Sequence, residues 1–371
     1  MGLGLLLTML LGGALDPDLL RPADAIPGQV PAAAVILSEP PDARRLRADF
    51  ETPPRVLLVF TQDWPGPIGR IAEQVLASGS GLSLLADVAS SPAAYAGFVN
   101  ELTSRSGGRL EVHTDRVDTP WVRDWGPLQL RRDEQSLASL WLDPDHPSDG
   151  REHDDAAPRW LATHHRVELT ALPWALDGGA FISDGGGLCV LSLEYLELRG
   201  ITPGGDPVGG AALGQLLGQL GCRATALVPT LLAEHTKHVD MIAQFVGPSR
   251  LMIASIEDEL GGRSEDALRL AAAELGIRRA ASALGRSLEI IEVPTPPSEA
   301  GRNPRTHVNG LRLADRYLMP SYPELSQALQ RRARAAVQRA VGEIPVVTID
   351  VSEMITAGGA IHCAALGLFS P

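Results

Sequence analysis

Cysteine, basic charge and long apolar runs are all scarce in this 371-residue sequence. There are three cysteines, Cys189, Cys222 and Cys363, an odd count with no C-x-x-C pair. That excludes a disulfide framework and a thiolate zinc site as expectations, so each thiol has to be explained singly. Lysine and arginine total 32 against 45 aspartate and glutamate, a net charge of −13. Such a surface repels phosphate backbones and attracts cations, which argues against nucleic acid or an anionic membrane as partner and for a cationic substrate. The Leu-rich stretch 1–14 falls short of the roughly 20 apolar residues that a membrane span needs.

What the sequence does have is 44% hydrophobic and 21% charged residues, enough to bury the core of one large domain or two modest ones. Residues 1–14 read as the apolar region of a signal peptide, with Ala23-Asp24-Ala25 as an A-x-A cleavage site, although the usual Lys or Arg flank is missing. The expectation is a signal peptide over 1–25 and a periplasmic or secreted product; the alternative is an apolar lead segment on a cytoplasmic enzyme. Residues 26–54 are a Pro/Ala-rich lead-in. Residues 55–371 are expected to form a single catalytic domain.

Along that domain a pattern recurs. Residues 55–61 (RVLLVFT) are a near-continuous apolar run of strand length, 68–77 space their apolar residues as a helix does, 82–88 read as a strand, 92–105 as a helix and 110–114 as a strand. Further strands at 167–172, 224–229, 288–293 and 346–351 each run into a polar or Gly-rich loop, with helices expected near 211–220, 264–284 and 324–341. The result is about five polar motifs, similarly placed in strand-loop-hairpin-helix units. Units that each send one loop to a common point describe a closed, radial array.

The loops carry the chemistry. Cys363 follows Gly358-Gly359 in small surroundings, where glycine lets another group come close. It is a candidate nucleophile, whereas Cys189 and Cys222 read as buried, inert thiols, the usual state of a free cysteine. His238 and Asp240 are two apart, so an extended segment would project both from one face. That suits a proton-transferring imidazole beside a carboxylate. His235, His238 and Asp240 are also metal-ligand types, but no second cluster of comparable spacing accompanies them. Trp121-Val122-Arg123-Asp124-Trp125-Gly126-Pro127 is either a structural corner with an Arg123–Asp124 pair, or a flat aromatic wall beside a carboxylate that accepts the N–H fork of a planar cation. Asp177-Gly178-Gly179 and Asn309 are ordinary turn chemistry taken alone.

In order, W-x-R-D-x-G-P, acid-G-G, H-x-D, the asparagine of V-N-G, and G-x-I-H-C resemble the agmatine deiminase family, which includes the Porphyromonas-type peptidylarginine deiminases of the guanidine-modifying superfamily. The resemblance runs from about residue 55 to Cys363. It implies an α/β fold, a five-bladed pseudo-fivefold propeller (pentein) of repeated strand-helix units. It also implies that Asp124 and Asp240 hold the guanidinium, that His238 transfers protons, that Cys363 is the nucleophile, and that Trp121, Asp177 and Asn309 line the substrate site. Four places depart from the family pattern: Asp177 is one methylene shorter than the usual Glu, Ala180 stands where Asn is usual, Lys237 replaces a Gly, and Ala364-Ala365-Leu366 replaces a more polar segment after the Cys.

The expected reaction needs neither cofactor nor metal. Two carboxylates orient a planar cation over Cys363 and favour its thiolate, whose free pKa is about 8.5. Attack gives a tetrahedral species, protonated His238 releases ammonia, and the resulting thiouronium is hydrolysed to a ureido product. The substrate is agmatine, giving N-carbamoylputrescine, or arginine in a peptide, giving citrulline. Export favours the peptide. The rival readings are a non-catalytic propeller that binds cationic peptides and, further off, a metallohydrolase. The oligomeric state is not legible.

Overall fold

The apolar run at 55–61 forms the strand Arg55–Phe60, and alternation explains why it is apolar throughout. Val56, Leu58 and Phe60 pack into one core with Ile68, Ile71, Ala72, Val75 and Leu76, the buried stripe of helix Pro65–Ala77. Leu57 and Val59 face a different core, built around Trp125 and Trp141. A strand covered on both faces has no position for a polar residue. The computed structural model describes residues 31–131, 139–145, 150–201, 207–256, 264–299 and 301–369. The expected signal peptide lies outside them.

The fold is α/β, and the described residues form five separate sheets of three or four strands. In one, Ala365–Leu368, Arg55–Phe60, Gly81–Asp87 and Leu110–Val117 lie side by side, so the C-terminal strand completes the sheet that the strand at 55 begins. In the other four, an antiparallel hairpin is followed by a helical crossover to a parallel strand. Leu128–Arg131 and Ser139–Asp145 lead through helix Glu152–His165 to Leu169–Ala175. Phe181–Ser183 and Leu188–Ser192 lead to Ala224–Val228. Ala243–Gly247 and Arg250–Ile256 lead through helix Glu265–Ala283 to Glu289–Thr295. Leu311–Arg312 and Tyr317–Ser321 lead through helix Gln327–Val341 to Val346–Asp350.

Serines start four of the helices: Ser91, Ser192, Ser264 and Ser326 each accept the N–H three residues on. Each such cap is worth about 1 kcal/mol. The Pro/Ala-rich lead-in supplies two strands, Ala34–Leu37 beside Ala224–Val228 and Arg45–Leu46 beside Leu128–Arg131. Among the described residues no helix is long and apolar enough to cross a membrane.

The expectation for two of the cysteines is overturned. Cys189 and Cys222 are not inert thiols but a disulfide, with Cα atoms 5.8 Å apart. Cys189 lies in the strand Leu188–Ser192, and Cys222 is the residue that turns the chain out of helix Pro207–Gln219 toward the parallel neighbour strand Ala224–Val228. A parallel pairing brings together residues far apart in sequence, so nothing in the local pattern around either cysteine reveals that they meet. Cys363 is the remaining, free cysteine.

Candidate active site

Five connections lead from the last strand of one sheet into the first hairpin strand of the next, and all five carry a residue singled out above. They are residues 118–127 with Asp124, 176–180 with Asp177, 229–242 with His238 and Asp240, 296–310 with Asn309, and 351–364 with Cys363. The structure brings these side chains together and buries them: relative exposure is 8% for Asp124, 9% for Asp177, 1% for His238 and Asp240, 0% for Asn309 and 4% for Cys363.

Each loop is fixed by its own chemistry. Trp121 precedes the single helical turn Val122–Trp125. There the Arg123 N–H donates to the Cys363 carbonyl (3.1 Å) and its guanidinium donates to the Ala365 carbonyl (3.2 Å). Arg123 therefore ties two loops together instead of pairing with Asp124. Trp121 stacks at 5.2 Å on Trp64, and a Cβ on Gly359 would lie 2.7 Å from the Trp121 ring and 2.8 Å from the Cys363 Cβ. Only glycine lets the indole and the thiol approach so closely. Gly179 does the same for the imidazole: its Cβ would fall 2.5 Å from His238 Nδ1.

His238 and Asp240 do not share an extended segment. His238 is extended, and Val239–Met241 then forms a 3-10 turn, which sends the two side chains to different partners. The His238 N–H donates to buried Glu234 (2.7 Å), whose other oxygen takes Thr236. His238 Nδ1 lies 3.5 Å from Asp124 Oδ1, and its Nε2 lies 3.2 Å from Asp177 Oδ2. Asp240 Oδ2 takes His362 Nδ1 at 2.8 Å and sits 3.7 Å from Cys363 Sγ. His235 is exposed and stands apart from this set. Asn309 is the hub between two loops: its Nδ2 donates to the Asp240 carbonyl (3.3 Å) and to Cys363 Sγ (3.2 Å), while its Oδ1 accepts the His362 N–H (3.0 Å).

Lys237, the only lysine in the chain, has φ 59°, in the left-handed region that favours glycine. Backbone conformation accounts for the residue type expected there. Its ammonium is tethered to its own loop, donating to the Leu232 carbonyl at 3.0 Å and the Leu231 carbonyl at 3.3 Å. Asp177, the shortened acid, is bound by Arg199, whose Nη2 reaches both carboxylate oxygens at 3.3 Å; the Asp177 N–H donates to the Tyr195 hydroxyl (2.7 Å).

Electrostatically the site is crowded with acid. Burial pushes Asp124 up to about 7; the His238 charge opposes this, and the Asp177 and Asp240 carboxylates add to it. Burial alone would lower His238, but Asp124, Asp177 and Glu234 outweigh it and raise the imidazole to about 10. At neutral pH His238 is therefore an imidazolium. Burial also opposes ionisation of Asp240, yet His362 more than compensates and holds it below the ordinary carboxylate range. Burial, then Asp240 and Asp124, push the Cys363 thiol well above its ordinary value. With the protein's own charges alone, Cys363 is a thiol. Two carboxylate oxygens, Asp124 Oδ1 and Asp240 Oδ1, are buried without a hydrogen-bond partner among the described residues. Such oxygens cost free energy unless a donor meets them.

A family model described as Porphyromonas-type peptidyl-arginine deiminase matches residues 45–367. The chain belongs to that family. It is similar to the agmatine deiminase of Pseudomonas aeruginosa (strain LESB58), 24% identical over 298 residues that cover 72% of this chain and 78% of that protein. Among solved structures it is similar to the agmatine deiminase of Enterococcus faecalis, with a TM-score of 0.71, 18% identity, and 90% of this chain and 99% of that one covered. It is also similar to C. jejuni agmatine deiminase, with a TM-score of 0.67, 16% identity, and 91% and 98% covered. At these identities the structural likenesses speak for the fold.

Sequence reasoning missed several contributors. His362 lies inside the recognised G-x-I-H-C run, and its position beside a candidate cysteine was the available signal. Asp49, 3.3 Å from His362 Nε2, comes from the lead-in, and Tyr195 and Arg199 come from the helix Leu193–Leu198 and its C-cap, 18 and 22 residues beyond Asp177 in the same unit. Nothing local in the sequence marks these three.

Proposed function

We propose that this chain hydrolyses a guanidino group, with Cys363 as nucleophile, His238 as proton carrier, and Asp124 and Asp240 as the acids that hold the cation. The observation that carries this reading is a free thiol beside two buried carboxylate oxygens that accept no hydrogen bond among the described residues, Asp240 Oδ1 and Asp124 Oδ1, the latter with only a 3.5 Å ion-pair contact to His238 Nδ1. A guanidinium supplies planar N–H donors for these oxygens and a positive charge beside Asp124 and Asp240. Burial and the Asp240 and Asp124 charges hold Cys363 protonated; a bound cation opposes both by stabilising the thiolate, so the thiol proton is released and substrate generates its own nucleophile.

The thiolate attacks the guanidinium carbon, forming the S–C bond and a neutral tetrahedral species. Imidazolium His238 gives its proton to one nitrogen, the C–N bond breaks, and ammonia leaves a planar thiouronium cation. Neutral His238 then removes a proton from water as its oxygen bonds to the carbon. The second tetrahedral species expels the thiolate, and its remaining O–H proton passes to solvent, leaving the ureido product. Asn309 Nδ2, 3.2 Å from Sγ, stabilises the thiolate at both ends of the cycle. Trp121 supplies the flat wall, and Asp177 orients His238 through Nε2. No step calls on a metal or cofactor.

Two wider readings rest on the same observations. Five sheets whose connecting loops converge support a five-bladed propeller of pentein type, closed by the pairing of the C-terminal strand with Arg55–Phe60. The Cys189–Cys222 disulfide supports work in an oxidising compartment, which together with the apolar residues 1–14 supports export and hence peptidyl-arginine as substrate. Agmatine is favoured instead by the names of the similar agmatine deiminases. Assaying agmatine and an arginine-containing peptide separately, with ammonia and ureido product both measured, decides between them. Wild-type chain releases one ammonia per ureido group from at least one of the two, and Cys363→Ser releases none. Turnover that survives Cys363→Ser, or no ureido product from either compound, sinks the reading.

A further inference from the structure

Away from these loops, a second cluster of chemically competent side chains joins strand Leu110–Val117 to helix Glu152–His165. Glu111 lies at the start of the strand, and His164 and His165 are the last two residues of the helix. One ligand atom from each of the three lies within 4.8 Å of the other two. His164 Nε2 already contacts Glu111 Oε1. The second carboxylate oxygen, Oε2, takes Ser83 Oγ and Arg55 Nη1, both at 3.1 Å. These partners fix the carboxylate so that Oε1 is the oxygen offered to the imidazoles. His165 Nε2 is buried without a hydrogen-bond partner among the described residues, beside the Trp141 ring at 5.8 Å. His113 packs edge-on against His164 at 4.8 Å and holds that ring in place.

We propose that Glu111, His164 and His165 bind one divalent transition-metal ion of the zinc or nickel class. Two imidazoles and one carboxylate are borderline donors that suit those ions rather than calcium or magnesium. Three protein ligands leave a position for water, and the carboxylate's contacts with Ser83 and Arg55 are the outer-shell support that such ligands ordinarily have. The ion links the end of the helix to the beginning of the strand. The other ends of the same two elements carry the 118–127 loop, where Asp154 accepts the N–H groups of Asp118 (2.8 Å) and Thr119 (3.1 Å). A clip at this point steadies the two supports of Asp124 without touching the reacting atoms, so its contribution is to stability. It is independent of the deiminase reading.

The test is titration calorimetry of the untagged full chain with zinc and with nickel after chelator treatment. It is run in the Cys363→Ser background so that the free thiol cannot take the ion. The expected result is one ion per chain and a melting temperature that rises with zinc concentration. The His164→Ala/His165→Ala double variant loses both, and Glu111→Gln weakens binding roughly tenfold or more. Absence of stoichiometric binding, or binding that persists undiminished in the double variant, overturns the proposal. His164 is half exposed, so His164→Ala alone should fold and must by itself weaken binding, whereas His165 packs on Trp141 and the double variant is read beside its metal-free melting temperature; undiminished binding in folded His164→Ala also overturns the proposal.

Discussion

His238 and Asp124 set the pH behaviour. With Asp124 held near 7 and His238 near 10, kcat/KM rises with pH as Asp124 becomes a carboxylate able to hold a cation, and falls as His238 loses the proton it must donate. A pH–rate profile flat from about pH 6 to about pH 11 would contradict this assignment. The same shifts affect stability. Both folded values lie above the unfolded ones, about 3.9 for Asp and 6.5 for His, so both contributions are fully present at low pH and are lost as pH rises. The loss runs from about 4 to 7 for Asp124 and from about 6.5 to 10 for His238. Arg199 acts through Asp177. Arg199→Met removes a charge-assisted contact of roughly 1.5–3 kcal/mol, so kcat should fall roughly 10–100-fold. KM should change little, and the alkaline limb should move upward because Asp177 is less neutralised. Arg199→Lys should restore part of the loss; equal effects on kcat and KM with an unmoved pH profile would reduce Arg199 to a structural role. Asp124, His238, Asp240 and Cys363 were legible because each stands in a run of unusual composition. Arg199 and Asp49 were not, because a positioning residue needs only proximity, and proximity between residues distant in sequence leaves no local pattern.

At the scale of the element, glycine and disulfide carry most of what the loops need. Gly179→Ala places a methyl 2.5 Å from His238 Nδ1, where it displaces the imidazole from Asp124. Activity should fall by at least about 100-fold, the usual worth of a positioned proton carrier. Circular dichroism should be unchanged, and wild-type activity in this variant would show that His238 need not sit where it does. The Cys189–Cys222 bond closes a loop of 33 residues. Removing it as Cys189→Ala/Cys222→Ala should cost about 3–4 kcal/mol on the loop-entropy scale, seen in urea unfolding, with kcat unaltered. Long helices and doubly buried strands were readable from periodicity alone, as 264–284 against Glu265–Ala283 illustrates. Short hairpin strands such as Phe181–Ser183 were not, since three residues hold too little alternation to recognise. The H-x-D segment misled for a related reason: spacing of two fits a strand, but a 3-10 turn satisfies the same sequence and separates the side chains.

For the whole molecule, the net charge of −13 takes on a local meaning. Three of its acids, Asp124, Asp177 and Asp240, converge; His238 lies between the first two, Arg199 holds Asp177 and His362 holds Asp240, so Asp124 is the carboxylate with the least compensation. The repeat was visible in the sequence because every unit ends its parallel strand in a polar loop. The lead-in was harder to read: its two short strands are edge partners to distant sheets, and proline-rich composition conceals them. The central claim is that a guanidinium held by Asp124 and Asp240 is attacked by Cys363. Intact-mass spectrometry of acid-quenched enzyme, taken during turnover of agmatine and of an arginine peptide, tests it most directly. The account predicts a covalent adduct with the mass of substrate less ammonia, mapped to the peptide that contains Cys363 and absent from Cys363→Ser. Turnover with no adduct under any quench, together with activity in Cys363→Ser, would contradict it.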